Sequence, residues 1–391
     1  MISKVLTLNQ ISVKGLDRLP RDSYEIASEF TNPDVILLRS HKLQAEDIPK
    51  SVLGIARAGV GVNNIPVAAC TQRGIPVFNS PGANANAVKE LVAAGLLLGS
   101  RGIIEGITYV RTLGDMDDEG ELNKLLETQK KQFKGGELAG KTLGVVGLGA
   151  IGSMVAEMAL TFGMKVVGYD PALSVEAAWR LSSKVSKADS LSSLFTRCDF
   201  ITLHLPVLDA TRGLINADLL ATIKPGTCLL NFARQEIVDA EAMLAALEEG
   251  KLRKYITDFP SPALIARDDV ILMPHIGAST EEAEDNCAMM AADQLRDFLE
   301  HGNIRNSVNF PVVELEPVEG FRLAITNENV PKILGSVLTI LADENINVVD
   351  MLNKSRDDIA YSLIDLASKP STTVLEKMCA LEGVINVRLI S

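Results

Sequence analysis

Short apolar runs alternate with helical patterns through the first part of the chain. The apolar runs read KVLTL, VILLRS, LGIARAGV and IPVFNSP, and helical patterns lie between them. Strands separated by helices are typical of a parallel α/β sheet. The next segment, NANAVKELVAAGLLLGSRGI, is apolar around most of its helical circumference, so it predicts a buried helix.

The middle of the chain shows the same alternation more strongly. Six runs are nearly continuous in apolar residues: TLGVVGL, KVVGYD, FITLHLP, TCLLNFA, YITDF and VILMP. Such runs predict strands that are covered on both faces. With helical segments between them, they predict a doubly wound parallel sheet. A capping box formed by Ser279 and Glu282 then opens a long helix.

The last part of the chain predicts a separate small domain. Residues 304–319 carry two prolines and little helical period, so we expect a linker there. Residues 320–391 then follow the order strand, helix, strand, strand, helix, strand, with Asn329 as the expected cap of the first helix. This βαββαβ order predicts a small antiparallel sheet backed by two helices.

Length, composition and charge restrict the class of protein. The chain has 391 residues, of which 47% are hydrophobic and 23% charged, so we expect an ordinary globular protein of three domains. The net charge of −12 is spread along the chain without a basic run, which argues against a nucleic-acid partner. No apolar stretch approaches the roughly 18 residues of a membrane span, and the first residues lack the features of a signal peptide. We therefore expect a cytoplasmic protein with no membrane partner.

The cysteines indicate no metal site. All five stand far apart and no Cys-x-x-Cys pair occurs. This spacing argues against zinc sites and redox pairs, so we expect reduced thiols that pack in the core.

A glycine pattern in the middle segment predicts a dinucleotide site. Gly147, Gly149 and Gly152 have the G-x-G-x-x-G spacing, directly after an apolar strand and at the start of a helix. Glycine is needed because the chain must turn tightly, admit a pyrophosphate to the backbone and pack the helix on the strand.

Asp170 strengthens this prediction. It ends the next strand, about where a carboxylate binds the ribose hydroxyls, and a carboxylate there repels a 2′-phosphate, so NAD is favoured over NADP. The alternatives are a glycine-rich packing turn and, for Asp170, a strand-end turn before Pro171.

With this fingerprint and the segments NFARQEIVD and MPHIGAST, the chain resembles the D-isomer-specific 2-hydroxyacid dehydrogenases. The resemblance extends to ARAGVGVNNI, NSPGANANAVKELV, HIGASTEEAEDN and NVPKIL, and is greatest for members that oxidise D-3-phosphoglycerate and carry one C-terminal ACT domain. It implies an α/β fold with a discontinuous substrate domain (residues 1–95 and 280–303) and a doubly wound Rossmann cofactor domain (96–279). The βαββαβ ACT domain (320–391) follows the linker.

The resemblance also implies an activity. The expected reaction is the NAD-dependent oxidation of D-3-phosphoglycerate to 3-phosphohydroxypyruvate, the first step of serine biosynthesis, with catalysis in the cleft between the substrate and cofactor domains. A reductase of hydroxypyruvate or glyoxylate and an NAD-binding regulator of weak activity remain as alternatives.

Individual residues receive roles from the same resemblance. Arg234 would bind the substrate carboxylate and the 2-oxygen, and His275 would accept the hydroxyl proton as hydride passes from C2 to the nicotinamide. These residue types suit the chemistry, because arginine binds carboxylates bidentately and histidine titrates near the working pH. A surface arginine and a strand-end histidine are the alternatives.

Two further sets follow from the matching motifs. Asp258 would hold the carboxamide, and the other cofactor-site residues, beyond the three glycines and Asp170, are Ala150, Ile151, His204, Pro206, Ala233 and Gly277. The expected substrate residues are Arg57, Val60, Gly61 and Asn84, with Arg39 as a weaker candidate. For Arg39 and Arg57, a solvated surface position is the alternative.

Two positions depart from the family pattern. The family's catalytic glutamate would stand at Ala263, and Gln235 follows Arg234 where glycine is common. Loss of the partner that orients a catalytic histidine costs between about 10-fold and 10⁴-fold in rate, so we expect a slowed enzyme. We also expect Gln235 to restrict the backbone and the space for substrate. Rescue by a neighbouring carboxylate is the alternative, but a strand or helix start separates each of the sequence neighbours from the needed direction; they are Asp268, Asp269, Glu281 and Glu282.

The C-terminal domain implies regulation and assembly. By the resemblance, L-serine is an expected effector, and the matching positions are Asn327, Asn329 and Asn347. The resemblance also implies a homodimer or homotetramer, with a two-fold contact built from residues 106–132 of the cofactor domain.

Overall fold

The N-terminal apolar runs form one parallel sheet in the computed structural model, which describes residues 2–316 and 320–390 except the side chain of Glu176. The strands are β1 (Ser3–Leu8), β2 (Tyr24–Ala27), β3 (Val35–Leu38), β4 (Gly54–Arg57) and β5 (Val77–Phe78). Their order is β2-β1-β3-β4-β5, and the short helices α1 (Val13–Leu16) and α2 (Val67–Gln72) belong to the same segment. The pattern did not predict β2, because this edge strand buries only Tyr24.

The six middle runs form a second parallel sheet together with a seventh strand. The strands are β6 (Thr142–Val146), β7 (Lys165–Tyr169), β8 (Val185–Lys187), β9 (Phe200–Leu203), β10 (Thr227–Asn231), β11 (Leu252–Thr257) and β12 (Val270–Leu272). Their order, β12-β11-β10-β9-β6-β7-β8, reverses its winding between β6 and β9, which confirms the predicted Rossmann fold. The unpredicted β8 is an edge strand without buried residues.

Helices cover both faces of this second sheet. The helices of the second unit, residues 85–280, are α3 (Ala85–Ser100), α4 (Ile103–Arg111), α5 (Glu119–Gln129), α6 (Ala150–Thr161), α7 (Val175–Arg180), α8 (Leu191–Phe195), α9 (Ala217–Ala221), α10 (Ala240–Glu248) and α11 (Pro262–Ile265), with 3₁₀ turns at Lys130–Phe133 and Gln235–Ile237. Successive strand residues enter two apolar clusters: Leu143 and Val145 pack with α3 and α6, whereas Val146 packs with α8, α9 and α10. Burial on both faces explains why these strands are nearly continuous in apolar residues.

The chain divides into two units, Met1–Asn84 with Glu281–Ser391, and Ala85–Thr280. The first boundary precedes α3, whereas the sequence placed it at residue 95. Helix α3 packs closely on the second sheet: a Cβ atom at Gly95 would lie 3.1 Å from the Phe232 ring, and one at Gly99 would lie 2.8 Å from Ile256. The whole helix therefore belongs to the second unit.

The chain returns to the first unit with the 21-residue helix α12 (Glu281–His301). The elements that follow are β13 (Phe321–Glu328), α13 (Ile333–Asp343), β14 (Val348–Arg356), β15 (Ile359–Leu366), α14 (Thr372–Cys379) and β16 (Val384–Ile390). The antiparallel order β14-β15-β13-β16 confirms the βαββαβ prediction. The predicted cap is wrong, because Lys332 occupies the N-cap of α13 while Asn329 Nδ2 donates to the Asp357 carbonyl at 3.0 Å.

The predicted linker packs into the first unit over the part that the structure describes, residues 304–316. Ile304, Phe310 and Val313 are fully buried, and Ile304 pairs with Val313 in an isolated bridge. These apolar side chains have no helical period, so the sequence suggested a linker, yet they fill the core beside β15. Residues 317–319 of the predicted linker lie outside the described residues.

The C-terminal sheet also belongs to the first unit, because both of its faces are covered. On one face, Leu323, Ile325 and Ile364 pack with α13 and α14. On the other face, Tyr361 and Leu363 pack in the same cluster as residues of α12 and the buried segment 304–313. The sheet is therefore docked on the rest of this unit and does not form a separate body.

Three C-terminal side chains cap the last turn of α12. Tyr361 Oη donates to the Gly302 carbonyl at 2.7 Å, and Arg322 Nη1 donates to the His301 carbonyl at 3.0 Å. The Arg388 guanidinium donates to the Phe298 carbonyl and lies 4.3 Å from the centre of the Phe298 ring. The last carbonyls of a helix have no partner within the helix and carry partial negative charge, so these donors stabilise the contact.

No single helix among residues 2–316 and 320–390 is long and apolar enough to cross a membrane. Helices α3 and α4 reach that length and composition only as a pair, and they meet at a bend of 72°.

The buried ion pair between Arg322 and Asp365 generates a stability prediction. Two hydrogen bonds of 2.6 and 2.9 Å join these side chains, which are 6% and 0% exposed. Asp365→Asn leaves the Arg322 charge buried without its partner, so we expect a loss of about 3 kcal/mol in the free energy of unfolding. Differential scanning calorimetry should show a midpoint lower by about 6–12 °C. Asp358→Asn, at an exposed position of the same domain, is the control, and equal midpoints would contradict the prediction.

Candidate active site

The glycine loop between β6 and α6 has the close contacts that glycine requires. Gly147 has a φ of 89°, and a Cβ atom there would lie 2.4 Å from the His204 carbonyl oxygen. A Cβ atom at Gly152 would lie 1.9 Å from the Gly147 carbonyl oxygen. At Gly149, the N-cap of α6, no neighbouring atom lies within 4 Å of the Cβ position. This open position at the N-terminus of α6 suits a pyrophosphate, which the N–H groups of Ala150, Ile151 and Gly152 would bind.

Asp170 lies across this loop at the end of β7. One carboxylate oxygen accepts the Leu148 N–H at 2.9 Å, and the other accepts the Ala172 N–H at 3.0 Å. The side chain thus makes the strand-end turn and also contacts the glycine loop. Each oxygen retains a second acceptor position, which suits the ribose hydroxyls.

His204 and Pro206 follow β9, and His204 has an unpaired ring nitrogen. Its Nε2 lies 3.0 Å from Thr202 Oγ1, while Nδ1 is buried and has no partner among the described residues. Burial lowers the pKa of His204 to about 3, so the ring is neutral. A buried nitrogen without a partner beside the glycine loop is consistent with a bound cofactor. Pro206 is exposed.

Asn231 holds the segment that carries Ala233 and Arg234. This residue ends β10 and is fully buried; its Nδ2 donates to the Arg234 carbonyl at 2.9 Å, and its Oδ1 accepts the Ala233 N–H at 3.1 Å. Arg234 is half-buried, and its Nη1 donates to the Ala233 carbonyl at 2.7 Å. Asn231 was not among the residues predicted from the sequence, although a polar residue at the end of an apolar strand was a usable signal.

Asp258 holds the segment that carries His275. The carboxylate is 2% exposed and accepts the N–H groups of Ile276 at 2.8 Å and Gly277 at 2.7 Å. The predicted contact with a carboxamide would therefore use the remaining acceptor positions of Asp258. The Gly277 N–H already donates to Asp258, and a Cβ atom at Gly277 would lie 3.1 Å from Asp258 Oδ2.

His275 is exposed and has a φ of 59°, a left-handed conformation that is uncommon for residues other than glycine. Its ring meets the Phe259 ring edge to face, with centroids 5.2 Å apart. Among the described side chains of the second unit, residues 85–280, no carboxylate binds the imidazole. Asp269 pairs instead with Arg267 at 2.8 Å, which lowers the pKa of Asp269, and Asp268 is exposed.

Ala263 and Gln235 line one small cavity. Ala263 lies on α11, and the cavity of about 60 Å³ also contacts Tyr255 and Phe259. Gln235 is exposed in a 3₁₀ turn without a positive φ, so the backbone accepts a side chain at this position. The backbone at Gln235 thus has a conformation that a side chain tolerates, and the effect of Gln235 on the space for substrate stays a prediction.

The predicted substrate residues follow the strands of the first sheet. Arg39 follows β3, Arg57 ends β4, and Arg57 Nε donates to the Arg39 carbonyl at 2.8 Å. The Arg39 guanidinium pairs with Glu284 of α12, a partner that was not predicted from the sequence. The other predicted substrate residues lie in the loops after β4 and β5. Val60 and Gly61 are half-buried, and Asn84 Oδ1 has no hydrogen-bond partner among the described residues.

The three predicted effector residues lie at two ends of the C-terminal sheet. Asn327 is buried near the end of β13, and its Nδ2 donates to the Glu328 carbonyl at 2.7 Å. Asn329 follows the same strand. Asn347 is exposed and precedes β14, whose first residue pairs through β15 with the opposite end of β13. One chain therefore does not bring the three side chains together.

Groups of three or more possible metal ligands are absent from the described residues. All five cysteines are free, and four of them are buried.

Comparisons with known proteins agree with this arrangement. Residues 106–277 match the NAD-binding domain of the D-isomer specific 2-hydroxyacid dehydrogenases. The D-3-phosphoglycerate dehydrogenase of Haemophilus influenzae is 33% identical over 94% of this chain and 89% of its own length. The enzyme of the same name from Methanocaldococcus jannaschii is 34% identical over 84% of this chain, which spans only 61% of that relative.

Among solved structures, the fold is similar to that of an NAD⁺-bound 3-phosphoglycerate dehydrogenase from Entamoeba histolytica. The TM-score is 0.61 and the identity 29%, over 79% of this chain and 99% of the other. The sheet order, the glycine loop and these similarities together show that the chain belongs to the D-isomer specific 2-hydroxyacid dehydrogenases, a family of NAD-dependent oxidoreductases.

Proposed function

We propose that this chain oxidises D-3-phosphoglycerate to 3-phosphohydroxypyruvate with NAD⁺, the first step of serine biosynthesis. The observation that carries the proposal is the delivery of Arg234, Asp258 and His275 by three neighbouring strands to one edge of the second sheet. Two relatives of that name, similar over most of the chain, support the choice of substrate.

The proposed chemistry uses two side chains. NAD⁺ bound at the glycine loop and Asp170 would supply the hydride acceptor. Arg234 holds the substrate carboxylate and the C2 oxygen through its guanidinium, since arginine matches the geometry of a carboxylate. His275 accepts the proton of the C2 hydroxyl at an imidazole nitrogen as C2 becomes a ketone.

Residues of the first unit would recognise the rest of the substrate. Arg57, Val60, Gly61 and Asn84 are assigned to the carboxylate and phosphate sides. Arg39 is a weaker candidate, because Glu284 already neutralises its guanidinium.

The rate should be limited by the missing partner of His275. No carboxylate that the structure describes in the second unit reaches the imidazole, and Ala263 stands where the family has glutamate. The base and Arg234 are retained, so a slowed enzyme is the expected outcome.

The proposal extends to assembly and regulation. Helix α4 exposes Ile104, Ile107 and Val110 at helical spacing, which supports a two-fold contact through residues 106–132 in a dimer or tetramer. The C-terminal domain would act as an ACT domain that binds L-serine. A serine site that uses Asn327, Asn329 and Asn347 requires two chains, because they lie at opposite ends of one sheet.

A cytoplasmic location is part of the same proposal. It is supported by the five free thiols, which are usual in a reducing compartment.

The first prediction from the proposed function is turnover that depends on His275. With NAD⁺, 3-phosphoglycerate, alkaline buffer and a ketone trap, the protein should form NADH. His275→Gln should lower kcat/KM by at least about 100-fold, because a general base contributes that much. His301→Gln is the control, since His301 pairs with Asp297 in the first unit.

Other outcomes of this assay separate the alternatives. Turnover confined to hydroxypyruvate or glyoxylate would replace the proposal by a different reductase. Binding of NADH, measured by fluorescence, without turnover of any 2-hydroxy acid would indicate a regulator.

A second prediction concerns the missing carboxylate. Ala263→Glu should raise kcat/KM by about 10- to 100-fold in both directions, because the overall equilibrium is unchanged and the added acid orients His275. Ala266→Glu, at the exposed end of α11, is the matched control. If both variants have the same kcat/KM, the missing glutamate does not limit the rate.

A third prediction concerns serine. Saturating L-serine should raise the melting temperature and lower the rate, whereas D-serine should do neither, because binding to the folded state stabilises it. Asn347→Ala should abolish both effects. A protein that is indifferent to L-serine would rule out this effector.

A further inference from the structure

We infer that Phe259 is a positioning residue for His275, and that its ring orients the imidazole where relatives use a carboxylate. The inference rests on the proposed role of His275 as the base. Two observations carry it: Asp258 binds the backbone after His275, and the Phe259 ring contacts the imidazole.

The backbone around His275 is held from one side by Asp258. The two N–H groups that follow the histidine, those of Ile276 and Gly277, donate to the two oxygens of one buried carboxylate. With both amides bound, His275 stays at a φ of 59°, a conformation that an unrestrained histidine seldom adopts. Asp258 thus sets where the Cα–Cβ bond of His275 points, but it leaves the ring free to turn about its side-chain torsions.

Phe259 supplies the ring contact that the backbone cannot. It follows Asp258 directly, and its N–H donates to Thr257 Oγ1 at 3.3 Å, which ties it to the end of β11. The two rings are 5.2 Å apart with an interplanar angle of 63°, the edge-to-face geometry that aromatic pairs prefer. No described side chain of residues 85–280 hydrogen-bonds to the imidazole, so the contact with Phe259 is what restricts the torsions of His275 among these residues.

The surroundings of Phe259 explain why an aromatic ring, and not a carboxylate, orients His275 in this protein. Phe259 is half-buried and lines the same small cavity as Ala263, where a longer acidic side chain would otherwise stand. An apolar contact fixes the direction of the ring but provides no charge for the protonated form. Phe259 therefore preserves geometry, and the rate still lacks the contribution of an acid.

The test compares Phe259→Leu and Phe259→Tyr with the control Phe162→Leu, an exposed phenylalanine at the end of α6. We expect Phe259→Leu to lower kcat about 10-fold, the lower limit for loss of an orienting contact, with KM changed less than about 2-fold. Phe259→Tyr keeps the ring and should retain most of kcat. Phe162→Leu should match the unmodified protein.

An NMR measurement of the histidine rings complements the kinetics. The chain has four histidines, so ¹³C labelling at histidine Cε1 gives four resonances, and His275→Gln assigns one of them. Loss of the Phe259 ring current should shift the His275 resonance in Phe259→Leu and leave the other three in place.

Each outcome decides the inference. If Phe259→Leu keeps the kcat of Phe162→Leu, or changes KM alone, the positioning role is wrong even if the resonance moves. Full activity of His275→Gln would overturn the base assignment and this inference together. If His275→Gln loses activity while Phe259→Leu is fully active, only the positioning role of Phe259 is wrong and the base assignment of His275 stands.

Discussion

Two buried polar side chains at the ends of neighbouring strands fix the loops that carry the proposed catalytic residues. Asn231 ends β10 and binds the peptide groups of Ala233 and Arg234, and Asp258 follows β11 and binds the amides after His275. The two strands are paired at Asn231 and Thr257, and the Thr257 hydroxyl donates to the Asn231 carbonyl. Because buried polar groups are costly unless they are hydrogen-bonded, each side chain restricts its loop to one conformation. The groups proposed to bind the substrate and to accept the proton lie on separate loops and are thus held by one sheet edge.

The histidine loop shows how a site is held when one element of the family pattern is absent. Asp258 restricts the backbone, Phe259 contacts the ring, and a small cavity remains beside Ala263. Orientation and proton affinity are separate contributions to a general base. An aromatic contact provides the first, whereas raising proton affinity requires a negative charge.

The first unit is organised around α12. This helix packs on the N-terminal sheet, where Arg39 pairs with Glu284 in its first turn. The C-terminal sheet covers its other end through Tyr361, Arg322 and Arg388. At 1.5 Å per residue the helix is about 30 Å long, so its two ends serve different parts of the unit. A C-terminal domain docked in this way shares its core with the rest of the first unit.

The sequence by itself determined the parts of this protein that depend on local pattern. Nearly continuous apolar runs predicted the Rossmann strands, because burial on both faces requires them, and the spacing of Gly147, Gly149 and Gly152 predicted the turn before α6. The sequence missed β2 and β8, since edge strands bury few residues and carry no such run. It also treated residues 304–316 as a linker, because apolar residues without a period do not reveal which surface covers them.

Only the tertiary structure decided the contacts between residues far apart in the chain. The pairing of Asp258 with Ile276 and Gly277, of Phe259 with His275 and of Arg39 with Glu284 depends on which strands are neighbours. The same holds for the separation of Asn347 from Asn327, which follows from strand register. Residue type and spacing predict what a side chain can do, but packing sets which partner it meets, because strand order and register are properties of the whole sheet.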